Sequence, residues 1–178
     1  MKNKPAFTLL EVLLAITFIT VVFTAITGLI LMTLQVNSKN TRTLQATYLA
    51  QESLEAMRYI RDSNWLQNYA WDEGEDQWGA NFTLASGEKE SEFYLVEAGE
   101  AGAYWSLSPV SSYNEEDGVV TLDSGEEFTR TIVISEVPDE QDPNISREDA
   151  LTVTAVISWN QRGFDTSVEL STILTNWQ

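Results

Sequence analysis

The chain opens with a long apolar stretch that holds few polar residues. From Val12 to Leu34, about 23 residues, the only interruptions are Gly28 and five threonines, which are Thr17, Thr20, Thr24, Thr27 and Thr33. At roughly 1.5 Å per residue, a helix of this length crosses a hydrocarbon core of about 30 Å. A removable secretory signal has an apolar part of only about 7–15 residues. The pattern therefore predicts a transmembrane helix over about 12–34 that stays in the mature protein.

Helical spacing continues beyond the apolar stretch. Small and apolar residues recur three and four positions apart and so share one face of a helix: Ala46, Leu49, Ala50, Ser53, Ala56, Met57 and Ile60. Glu55 and Arg58 lie off this face at a spacing that supports a helix modestly. No proline lies between Phe7 and Pro109. We predict one helix over 7–63, apolar in its first half and amphipathic in its second.

After Asn64 the pattern changes to a loop rich in glycine, asparagine and acids, and then to strands. The strand-like segments are 92–96, 104–108, 118–122, 127–137, 150–159 and 166–174. In the longer ones apolar and polar residues alternate, as Phe128, Arg130, Ile132 and Ile134 do, which is typical of strands with one buried face. We predict an α+β fold, in which the second half of the long N-terminal helix packs on a C-terminal antiparallel sheet of four to six strands. Residues 64–178 form the globular domain.

The net charge of −17 is distributed unevenly along the chain. Residues 1–61 contain six basic and three acidic side chains, giving +3, whereas 62–178 contain four basic and twenty-four acidic ones, giving −20. Nucleic-acid binding needs Lys and Arg to neutralise phosphates, so we do not expect it here. Such an acidic body is typical of a domain that mutual repulsion keeps soluble outside a cell.

The chain contains no histidine and no cysteine. Ser-His-Asp and Cys-His nucleophile systems, the usual zinc ligand sets and disulfides are therefore excluded. No other catalytic motif is present in the sequence. We therefore do not expect an enzyme.

The first residues carry a more specific motif. The stretch "PAFTLLEVLLAITFITVV" resembles the N-terminal signal of type IV pilins and pseudopilins, in which a short basic leader and a small residue precede Phe-Thr-Leu-Leu-Glu and a long apolar helix. In that family a membrane-embedded prepilin peptidase cuts before the Phe and methylates the new amino terminus. The resemblance implies that residues 1–6 are a cleaved leader, that Ala6–Phe7 is the cleaved bond and that Phe7 is methylated. The segments 48–65 and 167–177 are similar to pilin-like proteins less specifically.

The chain departs from the family pattern at two positions. Ala6 occupies the place where glycine is usual, which implies slower processing or a tolerant peptidase. Many family members have a proline part-way along the span, whereas Gly28 is the only helix-weakening residue there in this chain. Because glycine carries a helix penalty of about 1 kcal/mol relative to alanine, we expect less melting than at a proline, with any loosening at Gly28.

Glu11 is the one acid in the apolar N-terminal segment. A carboxylate at a bilayer centre costs roughly 2.5–3.5 kcal/mol, so its presence needs a reason. The resemblance implies that Glu11 neutralises the Phe7 amine of the neighbouring subunit during assembly. Leaving either buried charge unpaired costs several kcal/mol, so the pair would fix the register of the incoming subunit. The alternative is an acid at the edge of a signal anchor that pairs with its own amine or with water.

The resemblance also implies a location and partners. Lys2 and Lys4 precede the span, which places the short N-terminus in the cytoplasm and the C-terminal domain outside, although Lys39 and Arg42 on the far side weaken the charge bias. The protein would be a single-pass subunit of the cytoplasmic membrane that later enters an extracellular pilus or pilus-like filament. Its partners would be the prepilin peptidase and methyltransferase, other pilin copies through the N-terminal helices, and the assembly platform in the inner membrane.

Three function classes fit these features. The first is a structural subunit of a type IV pilus or pilus-like filament, which supports adhesion, motility, DNA uptake or secretion. The second is a minor pseudopilin of a type II secretion or competence apparatus. The third is a membrane-anchored surface binding protein or enzyme, which the lack of histidine, cysteine and catalytic motifs disfavours.

Two weaker candidates for binding remain. Some pseudopilins similar to this chain hold calcium in a loop near the C-terminus, and the segment 136–149 contains hard oxygen ligands in Asp139, Asp142, Asn144 and Asp149. Their spacing matches no fixed calcium-loop pattern, so we interpret the segment as a solvated loop and expect no cofactor. The six tryptophans could line a sugar-binding or surface-binding face, but packing in the core is the preferred interpretation.

Overall fold

A computed structural model of the chain describes residues 8–74, 80–84, 88–98, 104–110, 118–137, 149–161 and 163–176. The leader, the cleavage site Ala6–Phe7 and three calcium candidates, Asp139, Asp142 and Asn144, lie outside the described residues. The chain divides into two compact units, Met1–Arg42 and Thr43–Gln178.

One α-helix, α1, runs from Leu9 to Leu66. It begins after Thr8, whose backbone carbonyl accepts the N–H groups of Glu11 at 3.0 Å and of Val12 at 3.3 Å. The prediction of a single uninterrupted helix is confirmed. Its end lies three residues beyond the predicted boundary.

A C-terminal cap explains why α1 continues past the predicted end. Asn68 adopts a left-handed conformation with φ of 62°. Its N–H donates to the carbonyl of Trp65 at 2.9 Å, and the Tyr69 N–H donates to the carbonyl of Asn64 at 3.0 Å. These two bonds form a Schellman motif, which closes helices through one left-handed residue. Asparagine tolerates this conformation better than most residues, so Asn68 sets the stop.

In the unit Met1–Arg42, the described residues form the start of α1. Every residue from 8 to 41 is exposed within the chain. The helix is long and apolar enough to cross a membrane, and the segment that meets this test lies near the N-terminus. The predicted span is confirmed at this level of length and composition.

In the unit Thr43–Gln178, the described residues include six strands that form one antiparallel sheet. They are β1 Glu90–Ala98, β2 Tyr104–Pro109, β3 Val119–Thr121, β4 Glu127–Glu136, β5 Ala150–Gln161 and β6 Phe164–Thr175. The strand order is β2-β1-β4-β5-β6, and β3 also pairs with β4. All six predicted strands are present, and β4, β5 and β6 form a simple meander. The hairpin of β1 and β2 joins this meander through β1, an order that the alternation pattern did not predict.

Two different strands, β1 and β3, pair with the same edge of β4 at different positions along it. β1 pairs with Thr131–Ser135 of β4, and β3 pairs with Glu127–Thr129. Arg130 lies between these two stretches. A Cβ on Gly118, the residue before β3, would come within 2.2 Å of the Tyr94 ring of β1, so the close approach of the two strands needs glycine.

The second half of α1 and one face of the sheet share a single hydrophobic core. All seven helix positions predicted to face the sheet are buried, together with Leu54, Ser63 and Asn64. The sheet contributes alternate residues of its central strands, among them Ile132 and Ile134 of β4 and, from β5, Leu151, Val153, Ala155, Ile157 and Trp159. The α+β arrangement of one long helix on an antiparallel sheet is therefore confirmed.

Candidate functional site

The first turn of α1 contains the acid that the motif singles out. The backbone N–H of Glu11 donates to the Thr8 hydroxyl at 3.3 Å as well as to the Thr8 carbonyl. Thr8 and Glu11 have the Thr-x-x-Glu spacing of a capping box. A carboxylate in the first turn also faces the positive end of the helix dipole, which is worth about 0.3–1 kcal/mol at an exposed site. Thr8 therefore caps the helix through the backbone N–H of Glu11, and the Glu11 carboxylate contributes through its place in the first turn; the Thr-x-x-Glu spacing could have revealed this in the sequence.

The residues after Glu11 form an apolar surface on all sides of the helix. The exposed fraction is 69% for Phe18, 66% for Phe23 and 66% for Leu29. No charged residue occurs from Val12 to Ser38. Soluble monomers rarely expose a continuous apolar patch of more than a few hundred Å². This surface therefore requires lipid or other apolar helices around it.

The hydroxyl groups of the threonines in the span form hydrogen bonds within the helix itself. Each hydroxyl donates to a backbone carbonyl three or four residues earlier, at 2.8–2.9 Å, in Thr17, Thr20, Thr24, Thr27 and Thr33. A donor that is bonded within its own helix needs no water and no partner helix. These residues are therefore compatible with lipid and with close contact between helices.

Gly28 lies within continuous helix. A Cβ at this position would meet no atom within 4 Å, so the glycine is not required by packing within the chain. The loosening expected there stays a prediction. The predicted loosening at Gly28 applies to the helix when it lies in a membrane or is packed against other subunits.

Among the described residues of the unit Thr43–Gln178, Arg130 is the buried charged residue, with a side chain that is 3% exposed. Its Nε donates to the Leu95 carbonyl at 3.3 Å, and its guanidinium lies 4.7 Å from the centre of the Trp105 ring. Its Nη1 lies 3.9 Å from a carboxylate oxygen of Glu52 on α1. Burial lowers the pKa of Arg130, while Glu52 and Glu97 act against that lowering. The residue thus links α1 to both β1 and β2.

One of the four calcium candidates, Asp149, lies among the described residues. Asp149 is exposed and precedes β5, where its carbonyl accepts the Asn176 N–H at 2.7 Å. Within the described ranges no group of three or more His, Cys, Asp or Glu side chains could hold a metal ion. Calcium binding by the segment 136–149 stays untested.

The tryptophans divide between core and core margin where the structure describes them. Trp71 and Trp159 are buried, and Trp65 and Trp105 are partly buried and pack against the core. Core packing, the preferred interpretation, is confirmed for these four. The other two, Trp78 and Trp177, lie outside the described residues.

No protein-family model, curated protein or solved structure matches the chain. The resemblance to type IV pilins therefore depends on the N-terminal motif and the span that follows it.

Proposed function

We propose that this protein is a structural subunit of a type IV pilus or pilus-like filament. A prepilin peptidase removes residues 1–6 by cutting between Ala6 and Phe7, and the new amino terminus at Phe7 is methylated. Before assembly, the subunit lies in the cytoplasmic membrane with its N-terminus inside the cell and its globular domain outside. It then polymerises through its N-terminal helix with the help of the assembly platform.

The observation that carries the proposal is the exposed first half of α1. It is apolar on every side, and its one charged side chain between Leu9 and Ser38 is Glu11. A simple anchor explains an apolar helix of this length, but the acid at its start then has only its favourable position in the first turn of the helix. A bundle of such helices explains both, since it buries the apolar surface and supplies a neighbouring amine for the acid.

The energetics favour pairing between neighbouring subunits. Cleavage before Phe7 creates a positive amine four residues before Glu11 in the sequence. When both groups leave water, an unpaired charge costs several kcal/mol, whereas opposite charges in contact attract strongly at low dielectric. A subunit in the wrong register leaves its own Glu11 and its neighbour's amine unpaired. The ion pair therefore selects the correct register during assembly.

A minor pseudopilin of a secretion or competence apparatus is the second candidate, because it shares the same motif and the same exposed helix. The two candidates differ in abundance and in the length of the filament. A membrane-anchored surface binding protein or enzyme is less favoured, since it leaves the motif around Ala6 and Glu11 without a role.

The test is to express the chain in a bacterium that has a prepilin peptidase and a pilus assembly platform. Intact mass and N-terminal sequencing of the mature protein should give a chain that starts at methylated Phe7. Glu11→Val should leave this maturation intact but sharply reduce the protein in sheared filaments. Glu55→Val, which removes an exposed acid from the same helix, is the matched control and should assemble normally.

Two results would contradict the proposal. A mature chain that still begins at the initiating methionine would remove the cleavage assignment. Normal amounts of the Glu11→Val variant in sheared filaments would remove the role of Glu11 in assembly. Ala6→Leu should leave the uncut precursor in the membrane, and a variant chain that is cut at another bond would show that the peptidase does not recognise Ala6–Phe7.

A further inference from the structure

Strand β6 forms one edge of the sheet, and it is an unusually complete edge. It pairs with β5 at every position from Phe164 to Thr175, so no bulge interrupts the twelve pairs. Among the described residues no strand pairs with its other side. Natural sheets protect such edges with short strands, prolines, lysines or bulges. The sequence of β6 contains no proline, lysine or arginine, and the charged side chains that protect this edge are the acids Asp165 and Glu169.

The register shows which backbone groups point away from β5. Two residues separate Gln161 from Phe164, and the closing pair of a two-residue hairpin is hydrogen-bonded. Pairs alternate from there, so the N–H and C=O groups that point outward belong to Asp165, Ser167, Glu169, Ser171, Ile173 and Thr175.

Side-chain contacts agree with this register. The Asn160 amide donates to Asp165 Oδ1 at 2.9 Å, and the hydroxyls of Thr154 and Ser171 lie 2.9 Å apart. Such close cross-strand contacts are typical of the pairs that do not exchange backbone hydrogen bonds. The outer side of β6 therefore offers a regular ladder of donors and acceptors to another strand.

The charged side chains on the outward face of β6 are acidic, whereas on its core-facing side Arg58 of α1 donates to the Thr172 hydroxyl at 3.4 Å. Asp165 and Glu169 are exposed on the face of β6 that points away from the core. Beside them a shallow cavity of about 540 Å³ on the same sheet face is lined by Glu169 together with Glu90 and Glu92, and by no basic residue. On the opposite face of β6, Val168 and Leu170 are only partly buried against the core. An added strand would cover these two residues further.

We propose that β6 is a docking edge for an extended, cationic segment of a partner protein. The partner adds a strand beside β6, with Lys or Arg at alternate positions facing Asp165 and Glu169 and with apolar residues beside Val168 and Leu170. Charge favours this occupant over a second copy of the chain, because two antiparallel β6 strands centred at Ser167 would place Asp165 of each copy beside Glu169 of the other. The proposal does not depend on the filament function.

The test uses the purified full chain in a non-ionic detergent and a labelled peptide of alternating lysine and valine, about ten residues long. Fluorescence anisotropy measures binding, and hydrogen exchange shows where the peptide protects the chain. Ser167→Pro removes one outward N–H, whereas its matched control Ser167→Ala keeps that N–H and the same charge. We expect Ser167→Pro to bind the peptide about tenfold more weakly than Ser167→Ala, and bound peptide to protect β6 amides.

A charge exchange supplies an independent arm. Glu169→Lys should weaken binding of the lysine peptide and strengthen binding of a matched peptide of alternating glutamate and valine. This charge exchange still tests the proposal if circular dichroism shows that the Ser167→Pro variant is not folded. Equal binding to the Ser167→Pro and Ser167→Ala variants, or protection confined to other elements, would overturn the proposal. A dimer of the chain that Ser167→Pro abolishes, without peptide binding, would show that the edge takes a second copy instead.

Discussion

Asn64 connects the end of α1 to the segment that leads into the sheet. It is fully buried, and its Nδ2 donates to the carbonyls of Trp71 at 3.1 Å and of Ala80 at 3.0 Å. Its Oδ1 accepts the Ala80 N–H at 3.2 Å. Packing around this amide is tight, since a Cβ on Gly74 would lie 2.2 Å from Asn64 Oδ1. Because a hydrogen bond contributes about 1 kcal/mol net, Asn64→Ala should lower the free energy of unfolding by about 3 kcal/mol.

Urea denaturation of the full chain in detergent, followed by tryptophan fluorescence, measures this loss. All six tryptophans follow Asn64 in the sequence, so the signal reports on the globular unit. Asn81→Ala is the matched control, since Asn81 is exposed and its Oδ1 accepts only local bonds from the N–H and hydroxyl of Thr83 at 2.9 and 2.6 Å. A loss below about 1 kcal/mol for Asn64→Ala, or one no larger than that of Asn81→Ala, would refute the reasoning.

Two further predictions concern single positions. Burial raises the pKa of the Asp72 carboxyl, although a hydrogen bond to its backbone acts in the opposite direction. The contribution of Asp72 to stability is therefore fully present below the unfolded pKa near 3.8 and is lost as pH rises through the higher pKa of the folded state. Asp72→Asn should therefore have a higher urea midpoint than the unmodified chain at pH 7, and an equal advantage at about pH 3 would contradict this. Gly28→Ala should leave that midpoint unchanged, because a Cβ there meets no atom within 4 Å. It should reduce filament incorporation less than Glu11→Val does, and complete loss of filaments would be the contrary result.

The elements of the fold were predictable because their patterns follow from burial. A residue such as Met57 or Ile157 faces the core, and its neighbours repeat at the period of the helix or strand, so the local sequence carries the signal. The order of the sheet was not predictable in the same way. Whether β1 or β3 lies beside β4 at Arg130 depends on contacts between residues far apart in the chain, which alternation does not encode.

The end of α1 illustrates a second limit. The composition changes at Asn64, which is why the predicted helix stopped near it, but the backbone continues to Leu66 and turns at Asn68. One left-handed residue ends the helix, and its effect is visible only once the cap is formed. The buried amide of Asn64 was missed for a related reason, since its partners Trp71 and Ala80 lie on a loop without periodicity.

For the candidate site, the sequence showed the span and the acid but not the local bond between Thr8 and Glu11. That bond uses the backbone N–H of Glu11, so the acid itself still has two competing explanations, a carboxylate that favours the first turn of the helix and an intersubunit ion pair. Their magnitudes differ, since a cap contributes about 1 kcal/mol, whereas an uncompensated buried charge costs several. Thr8→Ala removes the capping hydroxyl and keeps the carboxylate, so it should assemble nearly normally when the ion pair dominates. A filament defect in Thr8→Ala as severe as that in Glu11→Val would instead show that a weakened helix start is enough to explain the loss of assembly.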